Sequence, residues 1–228
     1  MRFAWRGAPP LFQGLSLSAP AGEITALVGK SGCGKSTVLR LVAGLLRASG
    51  GSVTAPPGER AFVFQSPTLL PWRTVAENVA LPLELRGAPD GATRVEDALA
   101  RVGLSQAAGL LPRQLSGGMR MRASLARALV TQPALMLMDE PFSALDPLTR
   151  KGLQQEFLRL WRERRFTVLM VSHDIDEAVL LADQIVVLGG SPAEVKLKLM
   201  VDLERPRGPE LLHDPRLGRL AAQVEEAL

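Results

Sequence analysis

Gly29-Lys30-Ser31-Gly32-Cys33-Gly34-Lys35-Ser36-Thr37 is the stretch whose reading decides the fold of this 228-residue chain. It fits the G-x-x-x-x-G-K-[ST] phosphate-binding loop, with Gly29, Gly34, Lys35 and Ser36 at the defining positions. The glycines let the backbone close into a nest whose N–H groups converge on a phosphate. Lys35 then reaches the β- and γ-phosphates, and the Ser36 hydroxyl is placed for Mg²⁺. Ile24-Thr25-Ala26-Leu27-Val28 before it reads as a buried strand. Thr37 to Leu46 has helical spacing, so the N-terminus of that helix points at the phosphates. At average glycine usage a chain of this length meets the pattern by accident roughly once in a hundred. An accidental match rarely falls between a strand and a helix.

Outward from the loop, residues 1–22 read as short strands broken at Ala8-Pro9-Pro10 and Ala19-Pro20-Ala21-Gly22, with Trp5 beside a turn. Residues 47–60 are a loop or hairpin, and Ala61-Phe62-Val63-Phe64 is a strand ending at Gln65. From Ser66 the pattern turns helical. Thr74-Val75-Ala76-Glu77 and Thr93-Arg94-Val95-Glu96 both match a capping box, which predicts two helix starts, and Gly103 closes the second segment. Gln114-Leu115-Ser116-Gly117-Gly118-Met119 opens a further helix reaching to about Val130. This predicts a helical lobe inserted between the strands of an α/β core.

Ala134-Leu135-Met136-Leu137-Met138 is a continuous apolar run of the kind found in central parallel strands. It ends in Asp139-Glu140, where α/β folds place ligands. An acidic pair after a strand is often only a helix cap. Downstream of a phosphate loop, Asp139 suits a magnesium shell and Glu140 suits a base that activates water. Asp146-Pro147 caps the next helix. Thr167 to Val171 is a strand running into Ser172-His173-Asp174, whose tip offers His173 to a γ-phosphate, although a lone histidine at such a place is more often structural. Gln184 to Leu188 is the last clear strand. The tail from 203 is helical and charged, with a proline-rich entry at Arg205 to Pro209, and His213 reads as surface.

The single cysteine excludes an internal disulfide and points to the cytosol. No apolar run approaches the roughly 20 residues of a membrane span, and Met1 to Gly7 has no apolar core of signal-peptide type. A net charge of +4 raises the question of nucleic acid, but 22 arginines and 5 lysines are scattered rather than clustered. The densest run, Arg159 to Arg165, contains Glu163 and reads as a solvated helix face. Nucleic acid is therefore not the expected partner.

Together these residues resemble the nucleotide-binding subunit of an ATP-binding cassette (ABC) transporter, over nearly the whole chain. Beside the phosphate loop, Gln65 matches the family's Q-loop glutamine and Leu115-Ser116-Gly117-Gly118 its signature. Asp139-Glu140, the D-loop Ser143-Ala144-Leu145-Asp146 and the switch histidine His173 follow in the family's order. The signature is the specific element, because other phosphate-loop proteins lack it. Trp5 falls where the family stacks an aromatic on adenine. Met119 and Met121 stand where glutamine is common.

The resemblance implies an α/β fold with a P-loop NTPase (RecA-like) core over about 1–65 and 131–200. An N-terminal antiparallel β-subdomain, a helical subdomain over about 66–130 and a helical tail over about 201–228 go with it. It implies ATP bound by Trp5, Gly29, Ser31, Gly32, Cys33, Gly34, Lys35, Ser36 and Thr37, and by Ser116, Gly117 and Gly118 of a second copy. Mg²⁺ would lie at Ser36, Gln65 and Asp139, with Glu140, His173 and Gln65 catalytic. Implied partners are a second ATPase subunit, held by ATP, integral membrane permease subunits and, indirectly, a substrate-binding protein. The implied place is the cytoplasmic face of the inner membrane.

Phe64-Gln65-Ser66-Pro67-Thr68-Leu69-Leu70-Pro71-Trp72 and the tail Val201-Asp202-Leu203-Glu204-Arg205-Pro206-Arg207 narrow the likeness to importer ATPases for nitrate, aliphatic sulfonates and taurine. Importers of thiamine-pyrimidine precursors are a related alternative. ABC ATPases of the chromosome or repair type are another, against which stands the lack of sustained heptads. A phosphate-loop kinase is a third, though a kinase has no need of the signature.

Overall fold

The computed structural model describes residues 1–208, 211 and 214–228. The surface reading of His213 and the Pro209 end of the tail entry lie outside them. Elements are numbered along the chain, which divides into two compact units.

The first unit holds Met1–Pro56, Leu137–Glu140 and Arg165–Leu228. Its N-terminal strands β1 (Arg2–Ala4) and β2 (Pro10–Gln13) form an antiparallel pair of their own. The main sheet is built on β3 (Ile24–Gly29), which lies between two parallel neighbours, β6 (Thr167–Val171) and β7 (Gln184–Gly189). The end of β5 (Leu135–Asp139) lies beyond β6. A strand paired on both edges and covered on both faces needs apolar residues throughout. Ile24, Ala26, Leu27 and Val28 are accordingly all but sealed from solvent. Burying each large side chain contributes roughly 1.5–3 kcal/mol. Helix α1 (Lys35–Val42) packs on β3 and β6, while α6 (Ile175–Leu181) packs on β3 and is covered by α7 (Pro215–Glu226).

One strand of this sheet departs from the sequence reading. Gln184–Gly189 is not the last strand: β8 (Glu194–Met200) runs antiparallel to β7 at the sheet edge. Its signal is the alternation of exposed Glu194, Lys196 and Lys198 with half-buried Val195, Leu197 and Leu199. Edge strands are half-solvated, so they lack the continuous apolar run by which central strands announce themselves.

The second unit holds Pro57–Met136 and Pro141–Arg164. It opens with β4 (Arg60–Val63), beside the first residues of β5, and continues with α2 (Val75–Glu84), α3 (Gly91–Arg101), α4 (Gly117–Leu129) and α5 (Pro147–Arg164). Helix α2 starts as expected. Thr74 Oγ1 accepts from the Glu77 N–H at 3.2 Å, and the Glu77 carboxylate accepts from the Thr74 N–H at 2.7 Å. That reciprocal bonding holds the Glu77 carboxyl below its ordinary pKa. The second capping box is a correction. Helix α3 begins at Gly91 with Asp90 at its N-cap, so Thr93 and Glu96 lie inside the helix. With the start at Asp90, Arg94 pairs with Asp90 one turn away at 3.6 Å and donates to the Val130 carbonyl at 2.7 Å.

Candidate functional site

In the first unit the phosphate loop joins the C-terminal end of β3 to the N-terminus of α1. Two glycines are forced. Gly29 lies so close to the Leu188 carbonyl of β7 that a Cβ there would overlap it. Gly34 caps α1 at φ 97°, and a Cβ on it would stand 2.6 Å from the Phe12 ring of β2. The loop is thus pressed onto its own scaffold on one side and open on the other, where Ser31 and Gly32 are exposed.

Lys35 is 7% exposed, and its ammonium donates to the carbonyls of Gly29 at 2.6 Å and Lys30 at 3.1 Å. A buried cation donating to neutral carbonyls at a helix N-terminus is a place for an anion. Thr37 is buried, and Cys33 is half-buried as a free thiol.

Asp139 and Glu140 leave β5 beside this loop's first helical turn. Ser36 Oγ donates to Asp139 Oδ1 at 2.8 Å. A hydroxyl and a carboxylate oxygen side by side are the hard donors that Mg²⁺ takes, one or two from protein and the rest from phosphate and water. The residues present therefore fit that ion. No cluster of three metal-binding side chains of the His, Cys, Asp or Glu type occurs among the described residues. Glu140 sits in a left-handed backbone conformation at φ 46°, its N–H donating to the Val171 carbonyl at 3.1 Å. Its carboxylate lies 3.2 Å from His173 Nδ1, the imidazole being 57% exposed. A carboxylate and an imidazole converging near a phosphate loop can move a proton and meet a terminal phosphate. Trp5, just after β1, is 46% exposed and makes a T-shaped contact with Phe3 at 5.0 Å.

In the second unit Ser116 caps α4, its Oγ accepting from the Met119 N–H at 3.2 Å. Ser116 and Gly117 are exposed, which leaves the α4 N-terminus open to a ligand. Gly118 is pressed against α5: a Cβ there would stand 2.5 Å from Thr149 Cγ2. Asp146 caps α5 by accepting from the Thr149 N–H at 3.0 Å, and hydrogen bonds from Thr149 hold the Asp146 carboxyl below its ordinary pKa. Met121 is 2% exposed, so at that position the side chain packs in the core. Gln65 donates to Ser143 Oγ at 3.2 Å, which ties the end of β4 to the turn after Glu140. Arg127 donates to the carbonyls of Pro67 and Thr68, both at 2.9 Å, and so fixes the segment after Gln65.

Sequence reasoning did not single out Phe12, Arg127, Glu177 or Arg207. Phe12 shapes the phosphate loop from another sheet, which no local pattern reveals. Arg207 is 5% exposed and donates to the carbonyls of Val179, Ala182, Val201 and Leu203, clamping the tail to the end of α6. Arg205 adds Asp183 at 2.7 Å, whose other oxygen accepts from the Ile24 N–H at the start of β3. The Arg-Pro-Arg sequence was the available signal.

A mostly parallel sheet whose central strand runs into a glycine-rich loop, a buried lysine and a helix N-terminus defines a phosphate-loop nucleotide-binding protein. The chain belongs to the ABC transporter family, whose model matches residues 12–143. It is 46% identical over 214 residues to the aliphatic sulfonates import ATP-binding protein SsuB 1 of Pseudomonas syringae pv. syringae. That match covers 94% of this chain and 88% of the relative. It is 44% identical to the bicarbonate transport ATP-binding protein CmpC of Synechococcus elongatus, over 93% of this chain and only 34% of that longer protein. Among solved structures it resembles the dimeric ATP-binding cassette MJ0796 bound to ADP and Pi, with a TM-score of 0.75 at 28% identity. That likeness covers 89% of this chain and 96% of the other. The protein is an ABC ATPase with a P-loop core, an antiparallel N-terminal β-subdomain and an inserted helical subdomain. No helix among the described residues is long and apolar enough to cross a membrane.

Proposed function

We propose that this ATPase energises an importer for a small anionic solute, such as an aliphatic sulfonate, nitrate or taurine. The observation that carries the reading is the sequence agreement with importer subunits over almost the whole chain. The relatives named for sulfonate, bicarbonate and nitrate transport share a compact anion as solute. They favour this reading over a pyrimidine-precursor importer or a repair ATPase.

On this reading Trp5 stacks on adenine, and the backbone from Gly29 to Thr37 with Lys35 holds the β- and γ-phosphates. Ser36 and Asp139 would hold Mg²⁺, which would supply charge neutralisation at the phosphates when bound. Glu140 takes the proton of the attacking water, and His173 steadies the γ-phosphate. Lys35 exchanges its bonds to the Gly29 and Lys30 carbonyls for phosphate oxygens. Ser116, Gly117 and Gly118 present the α4 N-terminus to the nucleotide of a second copy, so two sites close together. The helical subdomain and the segment after Gln65 pass that closure to permease subunits, with the ATPase on the cytoplasmic face and a binding protein delivering the solute. The test is reconstitution with the neighbouring permease and binding protein in vesicles. ATP-driven uptake of labelled alkanesulfonate, nitrate or taurine is the expected result. Normal ATPase turnover with no uptake of any small anion would overturn the solute class.

A further inference from the structure

Helix α6 begins with a capping arrangement that has one extra member. Asp174 is its N-cap, and Asp174 Oδ1 accepts from the Glu177 N–H at 3.0 Å, which is half of a capping box. In the other half the Glu177 carboxylate would reach the Asp174 N–H directly. Instead the Asp174 N–H donates to Ser172 Oγ at 3.0 Å, and Ser172 Oγ donates to Glu177 Oε2 at 2.5 Å. The hydroxyl of Ser172 is inserted into the box. A plain box would fix Asp174 and leave the preceding residues to the strand. This one reaches back across His173 and holds the residues on both sides of it.

Both members are placed for that task. Ser172 is 1% exposed and Glu177 is 8% exposed. Ser172 also donates its N–H to the Leu27 carbonyl of β3 at 3.2 Å, so the box is anchored to the strand that carries the phosphate loop. Next to it Val171 accepts from the Glu140 N–H. The backbone frames of Glu140 and His173 therefore meet at two consecutive residues, 171 and 172. Burying a carboxylate carries a desolvation cost, which the short hydrogen bond from Ser172 helps to offset.

We propose that Glu177 is a positioning residue for hydrolysis: through Ser172 it fixes the orientation of His173 towards Glu140 and the γ-phosphate. This rests on the reading of His173 as a γ-phosphate contact. Truncating Glu177 should leave nucleotide binding alone and misplace one reacting-centre group, an error that costs up to about 10²-fold in rate.

The experiment is a set of variants in the full chain: His173→Ala, Glu177→Ala, Glu177→Gln, Ser172→Ala and the double variant His173→Ala/Glu177→Ala. Expected are a roughly 10–100-fold fall in kcat for Glu177→Ala with KM for ATP within about 2-fold, and recovery of most activity in Glu177→Gln, whose amide oxygen still accepts from Ser172. The double variant should be no slower than His173→Ala, because residues acting as one unit are not additive. The chain has two histidines, so histidine-labelled NMR reads the His173 ring directly. Glu177→Ala and Ser172→Ala should both shift or broaden its signals in protein that is still folded, even though the lost buried hydrogen bond lowers the melting temperature. Should Glu177→Ala fail to fold, Ser172→Ala and Glu177→Gln carry the same test. Fully additive losses in the double variant, or an unmoved His173 signal in Ser172→Ala, would overturn the proposal. An unchanged kcat in His173→Ala would instead remove the role given to His173 itself.

Discussion

Glu140 and His173 come from different strands, yet their side chains meet at 3.2 Å, and the Glu140 N–H is bonded to the Val171 carbonyl two residues before His173. The positive φ of Glu140 aims its carboxylate at that imidazole instead of along the strand. A non-glycine residue held in that region costs about 1–3 kcal/mol, a cost that the surrounding bonds must offset. The proposed role of Glu140 as base follows from this placement. Glu140→Gln keeps the size and the backbone bond and should keep ATP binding, while hydrolysis falls roughly 10²–10⁴-fold. Lys35→Ala should weaken nucleotide binding itself. Phosphate release under single-turnover conditions checks the first, and nucleotide titration checks the second.

Composite sites make a second prediction with the same variant. Glu140→Gln protein given ATP should dimerise and return to monomer when the nucleotide is removed. The exposed α4 N-terminus at Ser116 and Gly117 is the surface that a second nucleotide would bridge. Light scattering with and without ATP reads the outcome, and a monomer under all conditions at high concentration would contradict the paired-site reading.

The parts of the site that were legible in sequence are those in which one short segment does the chemistry. The phosphate loop, Asp139-Glu140 and the helix opened by Gln114 to Met119 each follow from local backbone requirements, and Thr74-Glu77 announces α2 by reciprocal bonding. Phe12 under Gly34, Arg207 on the α6 carbonyls and Ser172 inside the α6 cap act across tens of residues or through a shared hydroxyl. No periodicity carries such information. Thr93-Glu96 shows the converse, since a matching pattern is not a cap when the helix has already begun at Gly91. Strand β8 was hidden because alternation over seven residues, with charges outward, looks like a polar segment until a partner strand is known.

Cys33 offers an inexpensive check on where the nucleotide lies. Its thiol is half-buried within the phosphate loop, flanked by exposed Gly32 and by Gly34. Maleimide should label it, and MgATP should protect it, because a phosphate seated in the loop covers the approach. Mass spectrometry of the labelled chain gives the ratio. Equal labelling with and without MgATP would place the nucleotide elsewhere or the thiol out of its reach.

Arg207 predicts a stability effect separable from catalysis. Burial pushes its pKa down to about 10, so at neutral pH it is still charged and donates to all four carbonyls. Its folded value lies below the ordinary one, so the cost of burying the charge is present at pH 7 and is relieved only as pH rises past about 10. Arg207→Met leaves buried carbonyls unpaired and should cost roughly 2–4 kcal/mol. For a chain of this size that is a fall in melting temperature of about 5–15 °C. Arg207→Lys should not restore it, because a point ammonium cannot reproduce the planar fork. Differential scanning calorimetry reads both, and a Met variant melting like the parent would show that the clamp contributes nothing.

The last prediction concerns docking to the membrane partner. Trp72 is 72% exposed at the end of the segment that follows Gln65. That segment is not loose. The buried Asn78 side chain accepts from the Leu70 N–H at 2.7 Å and donates towards the carbonyls of Leu70 and Arg73 at 3.1 and 3.0 Å, and Arg127 holds Pro67 and Thr68. An indole presented on a fixed backbone and left in water is an interface anchor in waiting, since large exposed apolar groups on rigid supports mark binding surfaces. Truncating such anchors often costs about 2 kcal/mol or more of binding. Trp72→Glu should therefore release the subunit from its permease, with ATP binding and melting temperature unchanged, because the indole packs on little within the helical unit. Leu70 is half-buried, so Leu70→Glu should weaken co-purification and also lower the melting temperature. The comparison separates docking from folding: release by both variants with a thermal shift only for Leu70 supports the assignment, whereas intact co-purification of Trp72→Glu would move the docking surface away from this segment.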